Sequence, residues 1–282
     1  MVSKLFCNHR NLYISINFLK FKSLLIILFI LACQNIFSEK ENQLKDRQDF
    51  INQASDSSLA PTHKIPNYRI AKKLLTKIYK DRSRDFYCNC NFIRIFKEGY
   101  SVNQIQNDCG LQARVNRERA FRMEWEHIMP AYEFGKDLTC WKNNLCEKNG
   151  KSFKGRKCCR RIDPIFNQME SDLHNLRPSP GEINSDRSSF VFGDVPGERR
   201  KYGSCDFEVD FVNQIAEPKE DIRGDIARTY FYMNLRYKIS ISQSQMELFK
   251  SWDESDPPDD WEVLRNKRIK KIQGNSNPFI ER

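Results

Sequence analysis

Eight cysteines, Cys88, Cys90, Cys109, Cys140, Cys146, Cys158, Cys159 and Cys205, constrain this 282-residue chain more tightly than any hydrophobic pattern in it. In an exported chain an even set of thiols reads as a disulfide framework, here of up to four bridges. The sequence does not choose the pairing, because eight cysteines allow about 100 of them. Structural zinc is the competing use of clustered thiols. It is disfavoured because Cys88-Xaa-Cys90 and the adjacent Cys158-Cys159 lack the Cys-Xaa2-Cys pairs usual in such sites.

The disulfide reading depends on export, and the first residues supply the signal for it. Lys4, Arg10, Lys20 and Lys22 precede the apolar run from Leu24 to Ala32. A membrane-spanning helix needs roughly 20 apolar residues. This shorter run behind a basic region is expected to be a signal peptide over residues 1–32, cleaved near Ala32, with no stable membrane span. Cys33, directly after Ile30-Leu31-Ala32, leaves a lipoprotein anchored through Cys33 as the minor alternative. The expected location is therefore periplasmic or secreted. Without the leader the chain carries 43 basic against 37 acidic residues, a net charge of +6. That excess permits a polyanionic partner without demanding one.

Residues 33–66 are polar and mixed and read as a flexible entry segment, so a single domain is expected over 67–282. Hydrophobic content of 39% is enough for a packed core. Ile70, Leu74, Leu75 and Ile78 fall at helical spacing, giving an amphipathic helix with a basic outer face. The stretch Thr139 to Gly155 reads as a loop stapled by neighbouring cysteines. Beyond Asp225 the pattern turns helical. Ile226, Tyr230, Met233 and Tyr237 form one stripe, Ser242 to Trp252 a second helix and Trp261 to Ile272 a third.

Chemistry concentrates in two places. Glu124-Trp125-Glu126-His127-Ile128-Met129-Pro130 sets carboxylates beside one of only four histidines. Further on come Met169 to Pro178, with Glu170, Asp172, His174 and Asn175, and then Glu182-Ile183-Asn184-Ser185-Asp186-Arg187. A histidine, a carboxylate and a carboxamide are what a one-metal phosphodiesterase requires: a base for water and oxygen ligands for a hard cation. In a regular strand Glu126 and His127 point to opposite faces, so sharing a site requires a bend there. Asn184 alone would be read as a capping or turn residue, and Glu170 as a surface acid. A guanidinium at Arg156 matches phosphate oxygens, with Lys157 as its rival. A zinc centre built on His127 and His174 lacks a third ligand.

These segments closely resemble the bacterial endonuclease I family of secreted or periplasmic non-specific nucleases. The likeness runs from Phe86-Tyr87-Cys88-Asn89-Cys90 through the Glu-His segment, Gly155-Arg156-Lys157-Cys158-Cys159, the Asn-rich segment, Tyr202-Gly203-Ser204-Cys205 and Arg223 to Met233, to Gln273-Gly274-Asn275-Ser276-Asn277-Pro278-Phe279. The resemblance implies an α+β fold with a ββα-metal finger core, disulfide-stapled loops and a helical C-terminal third. It implies that His127 is the general base, that Glu126 and Asn184 hold the metal and that Glu170 is an acidic group near it; Arg156, favoured over Lys157 for its planar fork, is expected to stabilise the phosphoryl transition state. Asn175 is the rival to Asn184 and reads as structural or as orienting the histidine. The cation is expected to be Mg²⁺, with Ca²⁺ or Mn²⁺ able to replace it. The expected reaction is hydrolysis of DNA, and by extension RNA, gripped through the sugar-phosphate backbone without sequence specificity, by a monomer that leaves 5′-phosphate products. The alternative is a non-catalytic nucleic-acid-binding protein that retains the fold.

Overall fold

The computed structural model describes residues 64–97, 100–197 and 199–281; the expected export signal and all but the end of the polar entry segment lie outside them. Helix α1 (Tyr68–Ile78) opens the described chain, its first turn capped by Asn67, whose side chain accepts from the Ile70 amide. It buries Ala71, Leu75 and Ile78, whereas Ile70 and Leu74 are only half-buried. Leu75 and Ile78 of the expected stripe are thus fully packed, Ala71 joins them, and Ile70 and Leu74 lie against the core at its margin.

Strands β1 (Phe92–Lys97) and β2 (Tyr100–Ile105) form an antiparallel hairpin, followed by the short helix α2 (Arg117–Ala120). The centre of the molecule is strand β3 (Met123–His127). It leads through helices α3 (Ala131–Gly135) and α4 (Thr139–Lys142), the small hairpin β4 (Cys146–Lys148) and β5 (Lys151–Phe153), and helices α5 (Arg156–Ile162) and α6 (Pro164–Ser171). Strand β6 (Leu176–Pro180) then returns antiparallel to β3, pairing Glu126 with Arg177 and His127 with Leu176, and runs straight into helix α7 (Gly181–Arg187). Strands β7 (Val191–Phe192), β8 (Phe207–Asp210) and β9 (Ile215–Pro218) make a three-stranded sheet in the order β7-β9-β8. Helices α8 (Arg223–Tyr237), α9 (Gln243–Ser255) and α10 (Asp260–Gln273) complete the fold. Mixed helix and sheet, as expected, and three C-terminal helices within two residues of their expected starts describe the architecture.

Four disulfides pair the eight cysteines of the described residues: Cys88–Cys205, Cys90–Cys109, Cys140–Cys159 and Cys146–Cys158. The clusters of Asp85 or Asp108 with cysteine that could otherwise hold a metal spend their sulfur on these bridges. The stapled loop expected over 139–155 contains α4 and the β4-β5 hairpin, and its two bridges both end on α5. Among the described residues no helix is long and apolar enough to cross a membrane.

Helix α8 departs from the single stripe expected of it: Gly224 through Met233 are all buried. Its polar members are matched internally. Arg228, with no exposed side chain, is ion-paired with Asp253 of α9 and Glu262 of α10 and donates to the Asp256 carbonyl. Gly224 lies so close to Asp256 that a Cβ there would meet the Asp256 carbonyl at 1.9 Å. Arg265 of α10, also buried, donates to Tyr79 and to the carbonyls of Leu173 and Leu176, tying the last helix to the chain entering β6. A buried guanidinium is tolerated only when its donors are met in this way.

His174 belongs to this structural network. Its Nε2 faces the Asn275 carbonyl at 3.1 Å, so that nitrogen carries the proton, and its ring packs on Tyr232 at 4.6 Å. Nδ1 is buried with no partner among the described residues. Burial pushes the imidazole down to about 4, against the pull of Asp172 and with the help of Arg265 and Arg177.

Two predictions follow from the fold. Cys88–Cys205 closes the longest loop, 117 residues in sequence, against 19 for Cys140–Cys159. Replacing both of its cysteines by alanine should cost about 5 kcal/mol against about 3 for the shorter bridge, measured by urea unfolding of the oxidised protein. The second concerns acid. Below pH 6.5 the unfolded chain gains a proton at His174 that the folded chain refuses until about pH 4, so stability is lost as pH falls. Between pH 7.5 and 5 the native chain should lose about 2 kcal/mol more than His174→Gln, and equal losses would refute the assignment.

Candidate active site

Strand β3 presents Glu124 and Glu126 on one face and Trp125 and His127 on the other, as its regular pairing with β6 requires. The bend expected between Glu126 and His127 comes later, at Ile128 and Met129. Three groups enforce it. Asn175 clasps Met129 from both sides, its Oδ1 accepting from the Met129 amide and its Nδ2 donating to the Met129 carbonyl, while the Asn175 carbonyl accepts from the Ile128 amide. Both ends of the Asn175 carboxamide are consumed here, which places this residue in the scaffold. Arg187, at the end of α7, supplies the rest. Wholly buried, it donates to Glu126 Oε1 at 3.1 Å and to the carbonyls of His127 and Ile128.

Glu126 is buried and also accepts from Tyr87 at 3.2 Å through the same Oε1. Its Oε2 has no hydrogen-bond partner among the described residues. Burial pushes this carboxyl up to about 7, although the Arg187 guanidinium pulls it down. A carboxylate in this setting gains from a cation at its open oxygen.

On the opposite face His127 sits between aromatic rings, Tyr68 of α1 at 5.1 Å and Phe134 of α3 at 5.9 Å. The Tyr68 hydroxyl donates to the Trp125 carbonyl, so its ring is fixed against the imidazole. His127 Nε2 faces the Glu170 main-chain carbonyl at 2.9 Å. A carbonyl only accepts, so Nε2 carries the proton and Nδ1 is a bare acceptor without a partner among the described residues. Burial pushes the imidazole down to about 3, with Arg156, Arg160 and Arg187 adding to the shift against the Glu170 bond. The ring is neutral across the physiological range.

The Glu170 side chain is only 1% exposed and is taken up by two arginines of α5: Arg156 Nε donates to Oε1 at 2.6 Å and Arg160 Nε to Oε2 at 2.5 Å. Glu170 therefore meets guanidinium groups with its side chain and His127 with its backbone. Lys157, the rival to Arg156, is not part of this cluster. Helix α5 is pinned at its centre by Cys158 and Cys159, whose bridges run to Cys146 and Cys140.

Asn184 lies on α7 one turn before Arg187. Its Nδ2 donates to Glu124 Oε2 at 2.9 Å, and Glu124 is itself gripped by Arg119 and Arg122. Oδ1 of Asn184 accepts no hydrogen bond among the described residues. The structure thus joins His127, Glu170 and Arg156 directly. It sets Glu126 and Asn184 on the α7 side of β3 without a contact between them. Their open oxygens are the hard donors that a divalent cation takes, so the residues present fit such an ion.

Sequence reasoning had flagged Glu124 only as a neighbour and had missed Tyr68, Arg160 and Arg187 as members of this cluster. Arg160 carried a signal, standing four residues after Arg156 on a helical face. So did Arg187, three after Asn184. Tyr68 carried none, because its approach to His127 spans 59 positions and depends on how α1 packs.

Comparison with known proteins bears on this arrangement. The chain is 43% identical over 226 residues to an extracellular deoxyribonuclease of Aeromonas hydrophila, covering 79% of this chain and 92% of that protein. It is 42% identical over 216 residues to a periplasmic deoxyribonuclease of Aeromonas hydrophila, covering 76% and 85% respectively. An endonuclease-1 of Buchnera aphidicola subsp. Acyrthosiphon pisum is likewise 42% identical over 216 residues, covering 77% and 81%. The family model for endonuclease I matches residues 60–282, a span that takes in every side chain of the cluster around His127, and this chain therefore belongs to the endonuclease I family.

Proposed function

We propose that this endonuclease is a secreted or periplasmic enzyme that hydrolyses phosphodiester bonds in DNA, and also in RNA, without reading sequence. The observation that carries the reading is His127: neutral, held in one tautomer by the Glu170 carbonyl, with Nδ1 left bare. That is the state a general base needs, and the bonded Nε2 fixes the direction in which it accepts. His127 takes the proton of the attacking water. Arg156, oriented by Glu170 and always charged, faces the phosphoryl oxygens as negative charge builds on them. The substrate, DNA or RNA, is gripped through its sugar-phosphate backbone, which carries no sequence information, and the products end in 5′-phosphates.

A divalent cation, Mg²⁺ first and Ca²⁺ or Mn²⁺ as substitutes, would neutralise charge on the scissile phosphate when held by Glu126 Oε2 and Asn184 Oδ1. Glu124 turns the Asn184 amide nitrogen inward and so directs Oδ1 outward. The unit of β3, β6 and α7, two antiparallel strands followed without a break by a helix bearing Asn184, is read as a ββα-metal finger. Four disulfides and the extracellular or periplasmic naming of the relatives support a location outside the cytoplasm.

The test is digestion of supercoiled plasmid and of total RNA by the oxidised protein, in Mg²⁺ or in excess EDTA, beside His127→Ala. Cleavage should require the metal and fall about 10²- to 10⁴-fold in the variant. Nucleic-acid binding by the native chain without cleavage under any divalent metal would overturn the reading in favour of a non-catalytic binder. Separately, Glu126→Gln and Asn184→Ala should each weaken Mg²⁺ binding about tenfold or more by calorimetry, while DNA affinity in EDTA is unchanged. Native Mg²⁺ affinity in both variants would remove them as ligands.

A further inference from the structure

Glu170 carries one negative charge, and two arginines meet it. One guanidinium would balance the buried carboxylate; the second is a surplus positive group beside His127. Both arginines bind through Nε alone, one to each carboxylate oxygen. Arginine–carboxylate pairs frequently form a two-pronged fork. Here the Nη groups of both side chains have no acceptor among the described residues, and the side chains are 39% and 41% exposed. Each guanidinium also lies over the Tyr68 ring, Arg156 at 6.0 Å and Arg160 at 5.6 Å, which steadies both beside His127.

The backbone supports the same geometry. Arg156 and Arg160 stand four apart on α5, hence on one face. Between them Cys158 and Cys159 are fully buried and bridged, so the face cannot rotate away from Glu170. Planar, paired donors with free edges, held beside a base, suit the oxygens of a phosphate group.

We propose that Arg160 is a second phosphate-contacting residue, gripping the sugar-phosphate backbone together with Arg156, and that Glu170 is the buried residue that positions both. This rests on the phosphodiesterase reading given above. Glu170 then acts through the arginines and its own carbonyl rather than by meeting the substrate.

The experiment uses the oxidised chain with Arg160→Gln, Arg160→Lys and Arg161→Ala. Gln keeps a donor for Glu170 and removes the charge; Lys keeps the charge. Arg161 donates to the Glu147 carbonyl, and its removal takes the same charge from the adjacent position. Affinity for a short labelled DNA duplex in EDTA is measured over a salt series, with cleavage kinetics in Mg²⁺ and the unfolding midpoint alongside. Arg160→Gln should bind about tenfold more weakly and show a shallower salt dependence by about one unit of slope. Its KM should rise with kcat far less affected. Lys should restore the slope, and Arg161→Ala should keep the native one. A native slope and affinity in Arg160→Gln overturn the inference, as does a fall in kcat and unfolding midpoint with the slope unchanged, which would mark a purely structural role. A native protein that does not cleave overturns the enzymatic reading itself, whereas native cleavage matched by Arg160→Gln overturns only this one.

Discussion

The guanidinium of Arg187 is the contact on which the rest of the site depends. A cation removed from water costs several kcal/mol unless it is paired, and this one meets, through its Nη groups, the two carbonyls at which β3 turns and the Glu126 carboxylate, while its Nε has no partner among the described residues. Its Nη2 also reaches the Tyr230 hydroxyl of α8 at 3.4 Å. One side chain therefore joins the strand bearing Glu126 and His127, the helix bearing Asn184 and the central helix of the C-terminal third. It also pulls the Glu126 carboxyl down against the burial that raises it to about 7. The exchange is mutual: the acid makes the buried arginine tolerable, and the arginine keeps the acid ionisable.

Around that centre two faces of one strand serve different chemistry. The α7 side gathers oxygen atoms, from Glu126 and Asn184, with Glu124 and its two arginines behind them. The α1 and α5 side gathers a proton acceptor and positive charge. Rigid supports lie under both: hydrogen bonds to backbone carbonyls on the first, two disulfides on the second. Pre-organised side chains of this kind lose little entropy when a substrate arrives.

Much of this was legible in the sequence, and the limits follow from distance along the chain. His127 and Glu126 stand out as candidates because they are neighbours in one short polar segment, Asn184 only through the resemblance to the family, and the helices because apolar spacing is a local property. The regular course of β3 through His127 was not legible. Its bend is displaced to Ile128 and Met129 by groups some 46 to 60 positions away, Asn175 and Arg187. The side-chain partners of Glu170 were missed for a similar reason. A glutamate in a helix usually points to water, and only the packing of α5 on α6 surrounds it with guanidinium groups. Helix α8 is buried beyond its apolar stripe because α9 and α10 bring acids to meet Arg228. The disulfide pairing depends on the whole fold and could not be read locally.

The adjacent cysteines of α5 have a consequence for how the chain matures. Cys158 bridges to Cys146 and Cys159 to Cys140, closing loops of 12 and 19 residues. Exchanging partners would close loops of 13 and 18, so chain entropy scarcely distinguishes the correct isomer from the crossed one. What separates them is the helix, which turns neighbouring residues about 100° apart and aims each sulfur at a different part of the molecule. Oxidation before α5 has formed would trap both isomers in comparable amounts, and the crossed one would have to be reshuffled by thiol exchange before Arg156 and Arg160 could stand beside His127.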